Sequence, residues 1–153
     1  DDPMFHRRRV VRLPDDIYVI EDRVTGICRE DHDIRLYYNF AFGHLDGENG
    51  KFDYTSQKGR GYTMTVQADK KLDFEILEGS ENPIGGWISY GYAWRKPIPQ
   101  LIAKHSGKAP IHFITVLAPE GTKAETAING DTAMVTLAGG KVLTLTENAV
   151  ELH

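Results

Sequence analysis

The chain has 153 residues, 41% of them hydrophobic and 26% charged, with a net charge of −4 from 22 acidic and 18 basic side chains. That length can bury a core without covalent staples, and the composition is not that of a disordered segment, a collagen or a coiled coil. The negative balance offers no field for nucleic acid, the single cysteine, Cys28, excludes an internal disulfide and a Cys-cluster zinc site, and no run approaches the ~20 apolar residues of a membrane span.

The N-terminal DDPMFHRRR has no apolar signal-like stretch, and a start four residues before a strongly patterned segment is what a piece cut from a longer protein would show. Arg7, Arg8, Arg9 and Arg12 offer guanidinium forks that match carboxylate or sulfate groups. On a strand, Arg7 and Arg9 share one face while Arg8 and Arg12 share the other, so a charge-guarded sheet edge explains the run as well as a grip on an acidic polymer does. Leu13-Pro14-Asp15-Asp16 is a turn signal, and residues 16–24 alternate as a strand. In residues 32–42, Ile34, Leu36, Tyr38, Phe40 and Phe42 fall on one face and Arg35, Tyr37 and Asn39 on the other, which predicts a half-buried strand.

The polar, Gly-rich interval 43–61 reads as a mobile loop between two strands. Period-two alternation returns at 61–69, 72–79, 110–119, 131–139 and 141–152. Residues 118–127 alone have helix-tolerant composition, and Gly121, Thr122 and Thr126 argue against a helix there. Asn129-Gly130 predicts a hairpin turn. Many short strands, frequent turns and no helices to cover a parallel sheet predict an all-β, antiparallel β-sandwich of jelly-roll type, forming a single domain over residues 1–153.

Catalytic signatures are absent from the sequence. The histidines (His6, His32, His44, His105, His112 and His153) form no HxH or HExxH pair, so no metal site is expected, and His32-Asp33 is the most suggestive spot. There is no G-x-S-x-G elbow, and GENGK at 47–51 lacks Walker spacing. The acidic pairs Asp15-Asp16 and Glu30-Asp31 sit in turns, where such residues cap and solvate.

Residues 85–99 read GGWISYGYAWRKPIP. On a strand, Trp87, Ser89, Gly91 and Ala93 lie on one face and Ile88, Tyr90, Tyr92 and Trp94 on the other, so the two tryptophans point apart. Trp87 is expected to be a packing anchor. Tyr90, Tyr92, Trp94, Arg95 and Lys96 are the candidates for contact with a glycan or another domain, because aromatic faces beside cations suit an acidic sugar.

Several segments in order resemble the C-terminal β-sandwich of the heparinase II/III-like polysaccharide lyases and their alginate-lyase relatives. These are His6-Arg7-Arg8, then Ile17 to Gly26 against the pattern "ywvvxDrxxG", then His32 to Phe42. Gly86-Trp87-Ile88-Ser89, Tyr92 and Pro97-Ile98-Pro99 follow the pattern "GWxSxxYGxxxPxP", and Phe113, Thr115 and Pro119 follow "FxTxxxP". The chain departs from the family at Tyr38-Asn39-Phe40, where "FHl" is frequent, and at Ala93, where a Gly usually follows the tyrosine.

The resemblance implies a non-catalytic domain that packs on an upstream catalytic toroid and lines part of the cleft for an acidic polysaccharide. It further implies a periplasmic or secreted parent acting by β-elimination, with catalytic groups and structural zinc ligands outside this segment. On that basis neither catalytic residues nor a cofactor are expected here. An autonomous carbohydrate-binding module with an aromatic platform is the alternative.

Overall fold

The structure, a computed structural model, describes residues 2–153. All regular elements among them are strands. In chain order they are β1 (Met4–Leu13), β2 (Ile17–Gly26), β3 (His32–Asn39), β4 (Gly43–Glu48), β5 (Lys51–Ser56), β6 (Gly61–Ala68), β7 (Asp73–Glu78), β8 (Ser80–Glu81) and β9 (Ile84–Gly85). There follow β10 (Trp87–Gly91), β11 (Trp94–Pro97), β12 (Pro99–Gly107), β13 (Ile111–Pro119), β14 (Ala124–Asn129), β15 (Thr132–Leu137), β16 (Val142–Leu145) and β17 (Val150–Leu152). No helix among the described residues is long and apolar enough to cross a membrane.

The strands form an antiparallel sandwich to which a third layer is added. A central sheet runs in the order β1-β2-β13-β6-β5-β4, a three-stranded sheet runs β3-β12-β7, and a four-stranded sheet runs β14-β15-β16-β17. One face of the central sheet, with Val24, Leu45, Phe52, Tyr54, Met64, Val66, Ile111 and Phe113, packs on Ile34, Leu36, Tyr38, Leu101 and Ala103 of the three-stranded sheet. The opposite face, with Ile17, Val19, Ile114, Val116 and Ala118, packs on Ala133, Val135, Leu143 and Leu145 of the four-stranded sheet. β13 (IHFITVLAP) is therefore buried on both sides, which is why nearly every position in it is apolar, whereas β3 alternates strictly.

The interval 43–61 is not a loop. Its inward positions Leu45, Phe52 and Tyr54 are buried, and the polar residues occupy the outward positions of the β4–β5 hairpin. Asn49 (φ 54°) and Gly50 (φ 81°) make the left-handed turn between them. The helix-tolerant stretch is strand as well, in β14. The hairpin after it closes through Gly130-Asp131, because Asn129 already pairs with Thr132. Residues 141–152 divide into two strands, β16 and β17, rather than one.

The arginine run lies on β1, an edge strand of the central sheet, and two of its members do more than guard that edge. The β1–β2 register sets Arg8 opposite Asp22 and Arg9 opposite Glu21. These adjacent carboxylates are 0% and 1% exposed and point to opposite faces of the central sheet. On the three-stranded side, Asp22 accepts from Arg8 Nε at 2.7 Å, Arg8 Nη2 at 3.1 Å and His6 Nε2 at 2.6 Å. Beside it the Tyr38 hydroxyl hydrogen-bonds Thr115 Oγ1 at 2.8 Å, and burial pushes the phenol up to about 12.

On the other side, Glu21 accepts from Arg9 Nε at 2.5 Å, from Arg23 Nη2 at 2.9 Å and from His112 Nε2 at 2.8 Å. The same arginines reach onward into the four-stranded layer: Arg23 Nη2 donates to the Asp131 carbonyl at 2.5 Å, and Arg9 donates to the Thr146 and Ala149 carbonyls. Glu21 thus links the central sheet to the turns of its neighbour.

Burial by itself would raise the Glu21 carboxyl, but the hydrogen bonds from His112, Arg23 and Arg9 outweigh it and bring it from an ordinary 4.5 down to about 2. A carboxyl lowered in the folded state adds stability above the unfolded value and loses it as pH falls through the folded one. The melting temperature is therefore expected to fall as pH drops from 4.5 to about 2. Glu21→Gln, which leaves buried cations without their counter-charge, is expected to cost about 3 kcal/mol at neutral pH and to flatten that acid limb. Thermal melts of both proteins across this pH range check it.

Candidate functional site

The candidate residues of the aromatic run lie on a two-stranded hairpin, β10–β11, that hydrogen-bonds to no other sheet through its strands. Its base is set by Gly86 (φ 70°), whose carbonyl accepts from the Gly79 and Ile98 amides at 2.9 Å each. A side chain at Gly86 would run into the Leu77 carbonyl and Glu78, so the chain can turn there only with glycine. Ile98 is buried, and Pro97 and Pro99 fix the exit of β11 into β12. The tip is Tyr92-Ala93, between paired Gly91 and Trp94, with Ala93 left-handed at φ 56°. The Gly that the resemblance leads one to expect at this position would carry that conformation without strain.

The hairpin has two different faces. On one, Trp87 is half-buried, its Nε1 donates to the Ser80 carbonyl at 2.9 Å, and the Arg95 guanidinium lies 4.1 Å from its ring centre. Arg95 is also paired with Glu81, Nη2 to Oε1 at 2.6 Å. On the other face, the Tyr90 and Trp94 rings are 5.3 Å apart at 33°, and Lys96 Nζ sits 5.5 Å from the Trp94 ring. Tyr90 is 72% and Trp94 37% exposed, and Tyr92 at the tip is fully open to solvent. The register shifts between Ile88 and Gly91, yet the two tryptophans still point apart.

Of the six residues singled out from sequence, the structure thus brings Tyr90, Trp94 and Lys96 together. It sends Arg95 to Trp87 instead, and leaves Tyr92 alone at the tip. None of the principal cavities of the described residues is lined by them. The hairpin presents an aromatic face beside Lys96, which has no carboxylate partner among the described residues, a chemistry able to stack on a sugar ring or on another protein's surface and to draw negative charge.

Sequence reasoning passed over the charged groups with the most constrained surroundings, Glu21 and Asp22. It also passed over the meeting of His32 with Asp2 and Cys28, whose ligand atoms lie within 4.8 Å of one another. His32 Nε2 is 3.0 Å from Asp2 Oδ2. Asp33 turns the other way, to Ser106, Arg35 and Lys104, whose hydrogen bonds hold its carboxyl at about 2.

No protein-family model matches the chain, and no curated protein does. Its fold, however, matches solved structures. A heparinase III with methylated lysines superposes with a TM-score of 0.72 at 17% identity, over 92% of this chain and 23% of its own. The heparan sulfate lyase HepC from Pedobacter heparinus superposes with a TM-score of 0.70 at 14% identity, over 98% of this chain and 25% of its own. A further heparinase III gives a TM-score of 0.66 at 14% identity, again over 98% of this chain and 23% of its own. The chain spans about a quarter of the length of these proteins and shares the fold of that quarter.

The two tryptophans are expected to respond differently to truncation. Trp87→Ala removes a half-buried ring and its hydrogen bond, so the loss is expected to be about 2 kcal/mol, below the roughly 3–5 kcal/mol of a fully buried tryptophan. Trp94→Ala is expected to leave the melting temperature within about a degree, as surface substitutions do. Paired thermal melts check this, and the reverse order would exchange the roles of the two faces.

Proposed function

We propose that this chain is the β-sandwich domain of a polysaccharide lyase built like the heparinase III proteins, located outside the cytoplasm and packed against a larger catalytic portion. Its aromatic hairpin would contact that portion or the acidic glycan at the edge of the cleft. The observation that carries this reading is the asymmetry of the superposition: nearly all of this chain lies on about a quarter of each lyase. The ordered motifs from His6 to Pro119 point the same way.

The chemistry of the buried groups agrees. β-Elimination needs a base beside the α-proton and a group to neutralise the charge developing on the uronate. Glu21 is held at about 2 by hydrogen bonds from His112, Arg23 and Arg9 and Tyr38 is buried at about 12, so neither suits proton abstraction near neutral pH. On this reading those groups come from the rest of the protein. The second reading, an autonomous carbohydrate-binding module, draws on the exposed Tyr90–Trp94 pair with Lys96 beside it.

Incubated with heparan sulfate, chondroitin sulfate or alginate, the chain alone is expected to release no unsaturated uronate, followed by its ultraviolet absorbance. Turnover that persists through repurification would overturn the assignment. The chain is also expected to associate with the portion of the same protein that precedes it, and Trp94→Ala to weaken that association. Retardation of the unmutated chain by heparan sulfate in a gel, lost in Trp94→Ala, with no such association, favours the module instead.

A further inference from the structure

At the open end of the β1–β2 hairpin four donor-bearing side chains converge. Asp2 precedes β1, Met4 begins it, Cys28 lies between β2 and β3, and His32 begins β3. The carboxylate oxygen, thiol sulfur and imidazole nitrogen of Asp2, Cys28 and His32 all lie within 4.8 Å of one another, and Cys28 Sγ is 3.6 Å from Met4 Sδ. Zinc bonds of about 2.0–2.3 Å in a tetrahedron set donor separations of about 3.3–3.8 Å, so small movements would close this group around one ion.

The donors are held in place by the fold. Gly26 has no side chain to strike the Pro3 carbonyl, so the segment leading into β1 lies directly against the end of β2. Asp2 Oδ2 accepts the Arg29 amide at 2.7 Å and the Glu30 amide at 3.3 Å. The Asp2 side chain is only 10% exposed, and these amides together with His32 Nε2 at 3.0 Å fix its carboxylate in place. His32 is 33% exposed, which leaves a path for the ion to enter.

We propose that Asp2, Cys28 and His32 form a zinc site, with the Met4 thioether beside the fourth position. A thiolate with an imidazole suits zinc or copper, and the added carboxylate favours the divalent ion. On binding, Cys28 gives up its thiol proton to solvent, and His32 ligates through Nε2 as the neutral imidazole, its one proton on Nδ1. The two anionic ligands then balance the charge of Zn²⁺. The ion would tie the start of β1 to the β2–β3 connection. This rests on the ligand geometry alone and is independent of the role proposed for the domain. The wide spacing of the histidines along the sequence argues against a metal, and the fold brings one of them to a cysteine and an aspartate.

The chain is stripped with a chelator, reduced, loaded with zinc and passed through gel filtration, with metal measured by elemental analysis. One zinc per chain is expected, with Cys28 shielded from a thiol reagent and the melting temperature raised. Cobalt in place of zinc is expected to give a thiolate-to-cobalt charge-transfer band, a readout that needs no mutation. Cys28→Ser and His32→Ala are expected to abolish both stoichiometric zinc and the band, while His153→Ala, at the exposed C-terminal His153–Glu151 pair, leaves them intact. Absence of retained zinc and of the cobalt band in the unmutated chain overturns the proposal. Equal retention in folded Cys28→Ser and His32→Ala overturns it too.

Discussion

Two neighbouring carboxylates on β2 organise this molecule. Glu21 and Asp22 project to opposite faces of the same sheet, and each is buried with cations supplied by β1 directly across from it. Taking two charges out of water is costly, and a buried ion pair adds little stability over apolar residues of equal volume. It does penalise any arrangement that leaves a carboxylate without its guanidinium. A slip of one residue between β1 and β2 would carry Arg8 and Arg9 to the wrong faces and strand both acids, so the pairs fix the register of the hairpin that begins the central sheet. Glu21 goes further, because its arginines also bind carbonyls at Thr146 and Asp131 in turns of the four-stranded layer.

Much of this was open to reading in the sequence. Strict alternation in β3 named its buried residues, and the Leu13 to Asp16 turn marked the first hairpin. Given that turn, Leu13 faces Ile17, and stepping back along both strands sets Arg9 against Glu21 and Arg8 against Asp22. The basic run and the acidic pair are thus legible as partners, whereas the run taken by itself fits a guarded edge or a grip on an acidic polymer equally well. The third layer was signalled by β13, whose nearly continuous apolar run marks a strand covered on both faces, not a half-buried one. The β4–β5 hairpin was obscured because Asp46, Gly47, Glu48, Asn49 and Gly50 crowd its exposed side and turn, and composition outweighed the alternation of Leu45, Phe52 and Tyr54.

The site was legible in part. Period two separates Trp87 from Trp94, and the structure keeps them on different faces of the hairpin. The sequence does not say which cation goes with which ring, since Arg95 and Lys96 are adjacent and only strand geometry sends them to opposite sides. The convergence of Asp2, Cys28 and His32 could not be read from spacing, because it depends on a strand end, a connection and a second strand meeting at one edge. Throughout, the packed layers hold the aromatic hairpin: β12 is the middle strand of the three-stranded sheet, and β11 runs into it through Ile98 and the flanking prolines.

The three layers are joined across the central sheet as one cooperative unit, with the aromatic hairpin outside it. Residue-by-residue amide hydrogen exchange under native conditions tests this most directly. Amides of β2, β13, β15 and β16 are expected to exchange only through the same, global opening, while those of β10 and β11 exchange through a smaller one. Exchange of β15 and β16 as fast as that of the hairpin, with β2 and β13 still protected, would show that the four-stranded layer opens by itself and would contradict the linking role given to Glu21.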